Sequence, residues 1–154
     1  PKADPPSAVE RNQDLWSWQE AAAPKDAGPV PSVAVAPGGK TVAAVQGGKV
    51  VLRDIATRKV LWTFAGDKLA AVAFNPDGRW VGVARPGGAT VLDAGTGQVV
   101  QEIEQDDANP TAVAFGFPGE PVEGRLRHRL SFTDGRAVWA TTWVDDFAPG
   151  MAQF

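Results

Sequence analysis

Hydrophobic and polar residues alternate in short runs along the middle of the chain, and one such run occurs twice. Residues 33–42 read VAVAPGGKTV and residues 72–81 read VAFNPDGRWV, so the two copies lie 39 residues apart. The apolar positions follow a period of two, which indicates β-strands, and each Pro-x-Gly is typical of a tight turn. A repeat of about 40 residues built from short strands indicates propeller blades or a similar β array.

Each copy predicts four strands that are joined by turns. Glycine pairs at residues 47–48 and 87–88 suit two-residue reversals between strands. The predicted strands are 33–36, 41–45, 49–54 and 59–64 in the first copy, and 72–75, 80–84, 89–93 and 98–103 in the second.

The repeat begins again at residues 111–115 and then becomes irregular. Residues 116–121 predict a loop, and the Asp-Gly turn at 134–135 is interpreted as the first turn of a blade between two strands. We therefore predict an all-β fold of about three four-stranded antiparallel propeller-type blades. The blades are expected at about residues 31–65, 70–104 and 111–144.

Residues 72–79 (VAFNPDGR), followed by residues 91–97 (VLDAGTG), resemble a blade of a bacterial WD40-type propeller. The resemblance covers residues 31–104 and implies a radial stack of blades that serves as a protein-interaction platform, usually without catalysis. The Gly-His pair of that family is absent from both copies. Its Trp-Asp pair is replaced by Arg53-Asp54 in the first copy and by Leu92-Asp93 in the second. The resemblance is therefore to a degenerate variant.

A second resemblance concerns residues 54–62 (DIATRKVLW), which are similar to the Asp, Thr and Trp pattern of quinoprotein-type blades. This resemblance implies that Trp62 docks between sheets. In the second copy the corresponding residue is Gln101, so the pattern is present only once.

Residues 1–30 are rich in Pro and Ala, which predicts an arm or linker. Residues 7–23 form a possible short helix, with capping-box spacing between Ser7 and Glu10. Its Trp16 and Trp18 are expected either to pack on the β domain or to anchor another protein chain. A lone strand at residues 15–19, completing a neighbouring blade, is the third alternative.

Propellers close with about four to eight blades, whereas the residues after the arm suffice for roughly three. Stacked blades bury their faces on their neighbours, so an open arc exposes two apolar end faces. We therefore expect that the chain pairs with itself, is completed by other chains, or is part of a longer protein.

Composition narrows the function further. The net charge of −3 and the isoelectric point near 5.1 disfavour a nucleic-acid surface, and the apolar runs are too short for a membrane span. The chain has no Cys, and its one histidine, His128, is expected to be a packing residue. The acidic pairs at 106–107 and 145–146 are expected to be solvated. We expect no catalytic residue, metal or cofactor, and the sequence leaves the cellular compartment open.

The strand at residues 125–132 carries the clearest candidate for recognition. Arg125, Arg127 and Arg129 fall on one face by period two, where each guanidinium group could pair with a carboxylate or phosphate. The alternative is an edge strand whose charges prevent aggregation. Rim loops are further candidates, through Asp67, Lys68, Arg85, Asp106 and Asp107.

These observations predict a non-catalytic interaction scaffold or a subunit of a larger assembly, which binds protein partners through blade loops and faces. The alternative is a ligand-binding or quinoprotein-like propeller fragment that holds a small molecule.

Overall fold

A computed structural model describes residues 29–123 and 125–144, in which the chain forms strands and no helix. The predicted arm helix, with Trp16 and Trp18, and the acidic pair at 145–146 lie outside the described residues. The strands are β1 (Ser32–Val35), β2 (Thr41–Gln46), β3 (Lys49–Asp54), β4 (Val60–Ala65), β5 (Ala71–Phe74), β6 (Trp80–Arg85), β7 (Gly88–Asp93), β8 (Val99–Glu104), β9 (Ala112–Val122), β10 (Arg125–Thr133) and β11 (Val138–Val144).

The strands form three antiparallel sheets, which we call blade 1 (β1 to β4), blade 2 (β5 to β8) and blade 3 (β9 to β11). Each blade is a meander in which strands pair in chain order, and β5 lies beside both β1 and β9. The predicted all-β, partial-propeller fold is confirmed. Blade 3 has three strands within the described residues, where four were expected.

The eight strands of blades 1 and 2 begin and end within one residue of the predicted positions. Their turns explain why. The last glycine of each Pro-x-Gly turn has a positive φ, 68° at Gly39 and 76° at Gly78, a conformation that costs glycine little. Such turns fix the register of a hairpin and, with it, the face on which each side chain lies.

Corresponding aspartates organise the turn before the last strand of blades 1 and 2. The carboxylate of Asp54 accepts a hydrogen bond of 2.7 Å from the backbone N–H of Thr57, and Asp93 accepts one of 2.9 Å from that of Thr96. In blade 1 the Thr57 amide and hydroxyl together hold the pKa of Asp54 below its ordinary value.

Two hydrophobic cores join the three sheets. Blade 2 lies in the middle, and its strands β6 and β7 are buried on both faces. The core between blades 1 and 2 contains Ala43, Val45, Val50, Leu52, Leu69, Val72, Val81, Val83 and Leu92. The core between blades 2 and 3 contains Trp80, Ala89, Val91, Ile103, Leu130 and Phe132, with Val113, Phe115, Trp139 and Trp143 packed against it.

Polar contacts also join blade 1 to blade 2. The indole N–H of Trp62 donates to the backbone carbonyl of Ala94 at 2.9 Å, so this tryptophan docks between sheets. The hydroxyl of Ser32 accepts a hydrogen bond from the backbone N–H of Val72 at 3.1 Å. Both bonds connect parts of the chain that are far apart in sequence and so hold the stack together.

Blade 3 differs from the sequence prediction in its first hairpin. Residues 116–121, predicted as a loop, continue β9 and pair with β10, with register shifts between Arg125 and Arg127 and between Arg127 and Arg129. The turn at 134–135 consequently joins the second and third strands and is not the first turn of the blade. Prolines are tolerated here because, among the described strands, β9 pairs on one side only, with β10.

Candidate interaction surfaces

The arginine row, which we define as Arg125, Arg127 and Arg129, lies exposed along one face of β10. The intervening residue His128 is 3% exposed, and Leu130 is fully buried on the opposite face. The alternation predicted from the sequence is therefore present. The arginines stand on a strand whose other face is fixed by the core between blades 2 and 3.

The neighbouring strand places a glycine opposite two of the three arginines. Gly119 pairs with Arg127 and Gly116 pairs with Arg129 in the register of β9 and β10. A Cβ atom at Gly116 would lie 3.6 Å from the Cβ of Arg129, so the stem of this arginine passes over bare backbone. Sequence reasoning missed these glycines, because the segment that contains them was predicted to be a loop.

The proposed alternative for the arginine row, protection of an edge strand, is wrong. The strand order in blade 3 is β11, β10, β9, so β10 is the central strand and has a hydrogen-bonded partner on each side. Its backbone offers no free edge to another sheet. Protection of a sheet edge therefore does not explain why three arginines follow one face of this strand.

The arginine row and the candidate loops lie at opposite rims of the blade stack. The backbone N–H of Gly87 donates to the carbonyl of Ala108, so the connection 105–111 lies beside the β6–β7 turn. Strand β9 begins at that rim. It is longer than the four-residue strands β1 and β5, and it extends to the opposite rim, where the turns 36–40 and 75–79 lie. We call the first the loop rim and the second the hairpin rim.

Four of the five loop candidates are exposed at the loop rim, namely Asp67, Lys68, Asp106 and Asp107. The fifth, Arg85, is bound by neighbouring side chains of the same blade. Its guanidinium group forms a 2.6 Å salt bridge with Glu104 and donates to the hydroxyl of buried Thr90 at 2.9 Å. These contacts indicate that Arg85 braces the β6–β7 turn, so it is a weaker candidate for partner binding than its neighbours.

The hairpin rim also holds an aromatic cluster behind the arginine row. The ring of His128 meets the ring of Trp80 edge-on at 4.5 Å and lies 5.8 Å from that of Trp143. Arg79 lies 4.8 Å above the ring of Trp80, a cation–π contact. His128 is therefore a packing residue, as expected, and its ring contacts lie on the face of β10 opposite to the arginines.

Among the described residues, no blade packs on one sheet face at each end of the stack. On the outer face of blade 1, Val33 is 62% and Val35 58% exposed, and Leu61 on the outermost strand is 53% exposed. On the outer face of blade 3, Ala112 and Ala114 are exposed. Isolated apolar residues are normal on a surface, but the two valines lie on one strand and form a contiguous patch.

In the part of the chain that the structure describes, no cluster of three or more His, Cys, Asp or Glu side chains could hold a metal ion. Nor does that part contain a helix of the length and apolarity needed to cross a membrane.

These features define an all-β protein of the propeller-like class, an arc of stacked antiparallel blades. No family model and no curated protein matches the sequence. Solved structures do match the fold. The complex of the fission yeast SREBP-SCAP binding domains has a TM-score of 0.64 at 12% identity, covering 99% of this chain. Saccharomyces cerevisiae Sqt1 has a TM-score of 0.62 at 14% identity, covering 75% of it.

Hydrazine synthase of Kuenenia stuttgartiensis is a third similar structure, with a TM-score of 0.58 at 18% identity over 84% of this chain. At such identities the likeness extends to the fold alone. The chain spans 43%, 31% and 36% of the lengths of the three matched chains, taken in the order given.

Proposed function

We propose that this chain is a non-catalytic protein-interaction module whose arginine row binds an acidic segment of a protein partner. The observation that carries the proposal is the exposed row on a strand whose opposite face is buried in the core between blades 2 and 3. The general role in protein interaction is supported by the fission yeast structure of similar fold, which is a complex of binding domains.

The chemistry of arginine suits this role. A guanidinium group forms paired hydrogen bonds with one carboxylate, and arginines at alternate positions of a strand stand about 6–7 Å apart. Successive acidic side chains on an extended peptide have a similar spacing. Because β10 is paired with a strand on each side, its backbone does not have to become ordered on binding, which reduces the entropy that binding costs.

Charge favours a peptide over a nucleic acid as the partner. The chain as a whole carries a net charge of −3, so the arginine row belongs to an acidic chain. Phosphate backbones are bound by broad clusters of Lys and Arg, and affinity then falls steeply with salt. A short acidic segment needs only the three arginines and the surface close to them.

The test measures binding of a fluorescein-labelled peptide of alternating Glu and Ala by fluorescence anisotropy at low salt. The test variant carries Arg125→Glu, Arg127→Glu and Arg129→Glu. The control variant carries Lys40→Glu, Lys49→Glu and Lys59→Glu, which change the net charge equally at exposed positions outside the arginine row. We expect roughly a tenfold or greater loss of affinity in the first variant and little change in the second.

Equal losses in both variants would mean that overall charge alone attracts the peptide, which would refute the proposal. Stronger binding of a single-stranded oligonucleotide of the same charge would also refute it. The small-molecule alternative is tested separately by the shift of the thermal unfolding midpoint with calcium, sugars and quinones, since any ligand of the folded state raises that midpoint.

A further inference from the structure

A shallow depression lies on the outer face of blade 3, beside the arginine row. Its volume is about 140 Å³. The residues that line it come from all three strands of the blade and include Ala112, Ala114, Ser131, Thr133 and Val138. The hydroxyl of Thr133 donates to the carbonyl of Ala137 at 2.7 Å, so it is engaged in the turn that follows β10. The surface of the depression is apolar as a result.

The corresponding surface of blade 2 is occupied by side chains of blade 3. Ser131 on β10 holds the position that Gly82 holds on β6, because each pairs with the third residue of the first strand of its blade. A Cβ atom at Gly82 would lie 2.7 Å from Leu130 and 2.9 Å from Phe115. This face of a blade therefore accepts the side chains of leucine and phenylalanine. Among the described residues, none fills the equivalent surface of blade 3.

The residue beside the depression distinguishes blade 3 from blade 2. Arg129 lies two residues before Ser131, on the same face of β10, and is exposed. Its counterpart in blade 2 is Trp80, which is buried in the core between blades 2 and 3. An apolar sheet packed on Arg129 as blade 3 packs on Trp80 would bury a charge without a counter-charge, which is strongly unfavourable. The face therefore suits an occupant that combines one bulky apolar side chain with carboxylates.

We propose that the acidic segment bound by the arginine row also carries one bulky apolar residue, which occupies this depression. The inference deepens the proposed function and rests on it. An apolar cavity of about 150 Å³ accepts a benzene ring, so the side chain of phenylalanine or leucine has a suitable size.

The spacing of the two features defines the partner sequence. Outward positions of β10 follow one another at about 6–7 Å, in the order Arg127, Arg129, Ser131. An extended peptide that lies along β10 has the same period of two. Its apolar residue consequently stands two positions from the acidic residue that pairs with Arg129, and a second acidic residue follows two positions further on. Either direction of the peptide chain satisfies this spacing.

The two parts of the surface contribute in different ways. Attraction between exposed charges is screened by salt, so binding through the arginines alone weakens as the salt concentration rises. Burial of an apolar side chain depends on the area removed from water. The gain in affinity that the apolar residue provides should therefore be similar at low and at moderate salt, and this behaviour separates the depression from the arginine row.

The test compares three fluorescein-labelled peptides by fluorescence anisotropy with the full chain. The first has three Glu residues at alternate positions, with Ala between them. The second adds a Phe two residues before the first Glu, and the third adds it two residues after the last Glu. We expect one of the two Phe peptides to bind roughly fivefold to tenfold more tightly than the first, because a shallow site buries part of the ring.

Three variants locate the apolar contact. Ser131→Leu fills the depression and should abolish the gain due to Phe, whereas Val138→Ser removes an apolar wall and should reduce it. Both variants should bind the peptide without Phe as the parent does. Val100→Ser is the matched control, because Val100 is 51% exposed on the outermost strand of blade 2, and it should retain the full gain. Far-UV circular dichroism checks that each variant keeps its sheets.

The outcomes distinguish failure of the inference from failure of the proposed function. If all three peptides bind equally and the triple arginine variant loses them all, only the inference is refuted. A gain from Phe that persists in Ser131→Leu also refutes it, since the apolar contact then lies elsewhere. Failure of every peptide to bind refutes the proposed function and the inference with it.

Two other occupants of the depression would overturn the inference. If Phe increases the affinity only after deletion of residues 1–28, the arm of the chain covers the depression. Self-association of the full chain that Ser131→Leu abolishes would assign the depression to a second copy. Light scattering at micromolar concentration measures this association.

Discussion

The contact between Gly97 and Trp62 offers a quantitative test of how blades 1 and 2 are joined. Gly97 has a φ of 75°, and a Cβ atom there would lie 2.6 Å from Cδ2 of the indole. The same indole donates the hydrogen bond to the carbonyl of Ala94. Replacing Gly97 by Ala therefore imposes a strained backbone and pushes the ring away from its hydrogen-bond acceptor.

Each effect has a known size. An L-residue in the left-handed region costs about 1–2 kcal/mol, and overpacking a tight contact costs about 1–3 kcal/mol. We expect Gly97→Ala to lower the free energy of unfolding by about 3 kcal/mol in total. The corresponding residue of blade 1 is Arg58, with a φ of 61°, so this type of turn does form with a side chain in the left-handed conformation. The contact with the indole is what distinguishes Gly97.

Urea unfolding followed by far-UV circular dichroism measures the change without relying on tryptophan fluorescence. With a slope of about 1–3 kcal/mol per molar urea, the midpoint should fall by about 1–3 M. In a Trp62→Ala background the clash disappears, and Gly97→Ala should cost only the backbone term of about 1–2 kcal/mol. An equal cost in both backgrounds would refute the reasoning. Arg58→Gly is the control and should not destabilise the protein, because it relieves the strain of a positive φ.

Three more changes test the fold. Ser32→Ala should lower the free energy of unfolding by about 1–3 kcal/mol in urea titrations, because the N–H of buried Val72 loses its acceptor. Gly82→Ala should cost about 1–3 kcal/mol in the same assay, because the added methyl overlaps blade 3. Backbone N–H groups hold the pKa values of Asp54 and Asp134 below 3.8. The two ionised carboxylates therefore stabilise the folded state above that pH, and this stabilisation is lost as the pH falls through their lowered pKa values. A double Asn variant should therefore lose less thermal stability than the parent between about pH 5 and pH 2.

The repeat made blades 1 and 2 predictable. Period two specifies which residues share a face, and the Pro-x-Gly turns specify where each strand reverses, so strand bounds followed from local chemistry alone. The docking of Trp62 was implied by the resemblance to quinoprotein-type blades. Its acceptor, the carbonyl of Ala94, lies 32 residues away and belongs to another sheet, so no local pattern could specify it.

Blade 3 shows where local signals mislead. Pro118 and Pro121 lie among glycines and indicate a loop in any short window. They are compatible with β9 because, within the part of the chain that the structure describes, β10 is its one hydrogen-bonded partner strand, and bulges absorb the irregular register. Exposure of the arginine row could be predicted from period two. The opposing glycines and the separation of the two rims depend on the pairing of β9 with β10, which the sequence did not reveal.

The position of a blade in the stack is likewise not a local property. Val33 and Val72 occupy the same place in the repeat and have the same side chain, yet one is exposed and the other buried, because only blade 2 has a neighbour on that side. A sequence pattern that is the same in two blades therefore cannot predict which valine is buried. Burial at this position depends on the neighbouring blade, which supplies Ala34 and the rest of the core around Val72.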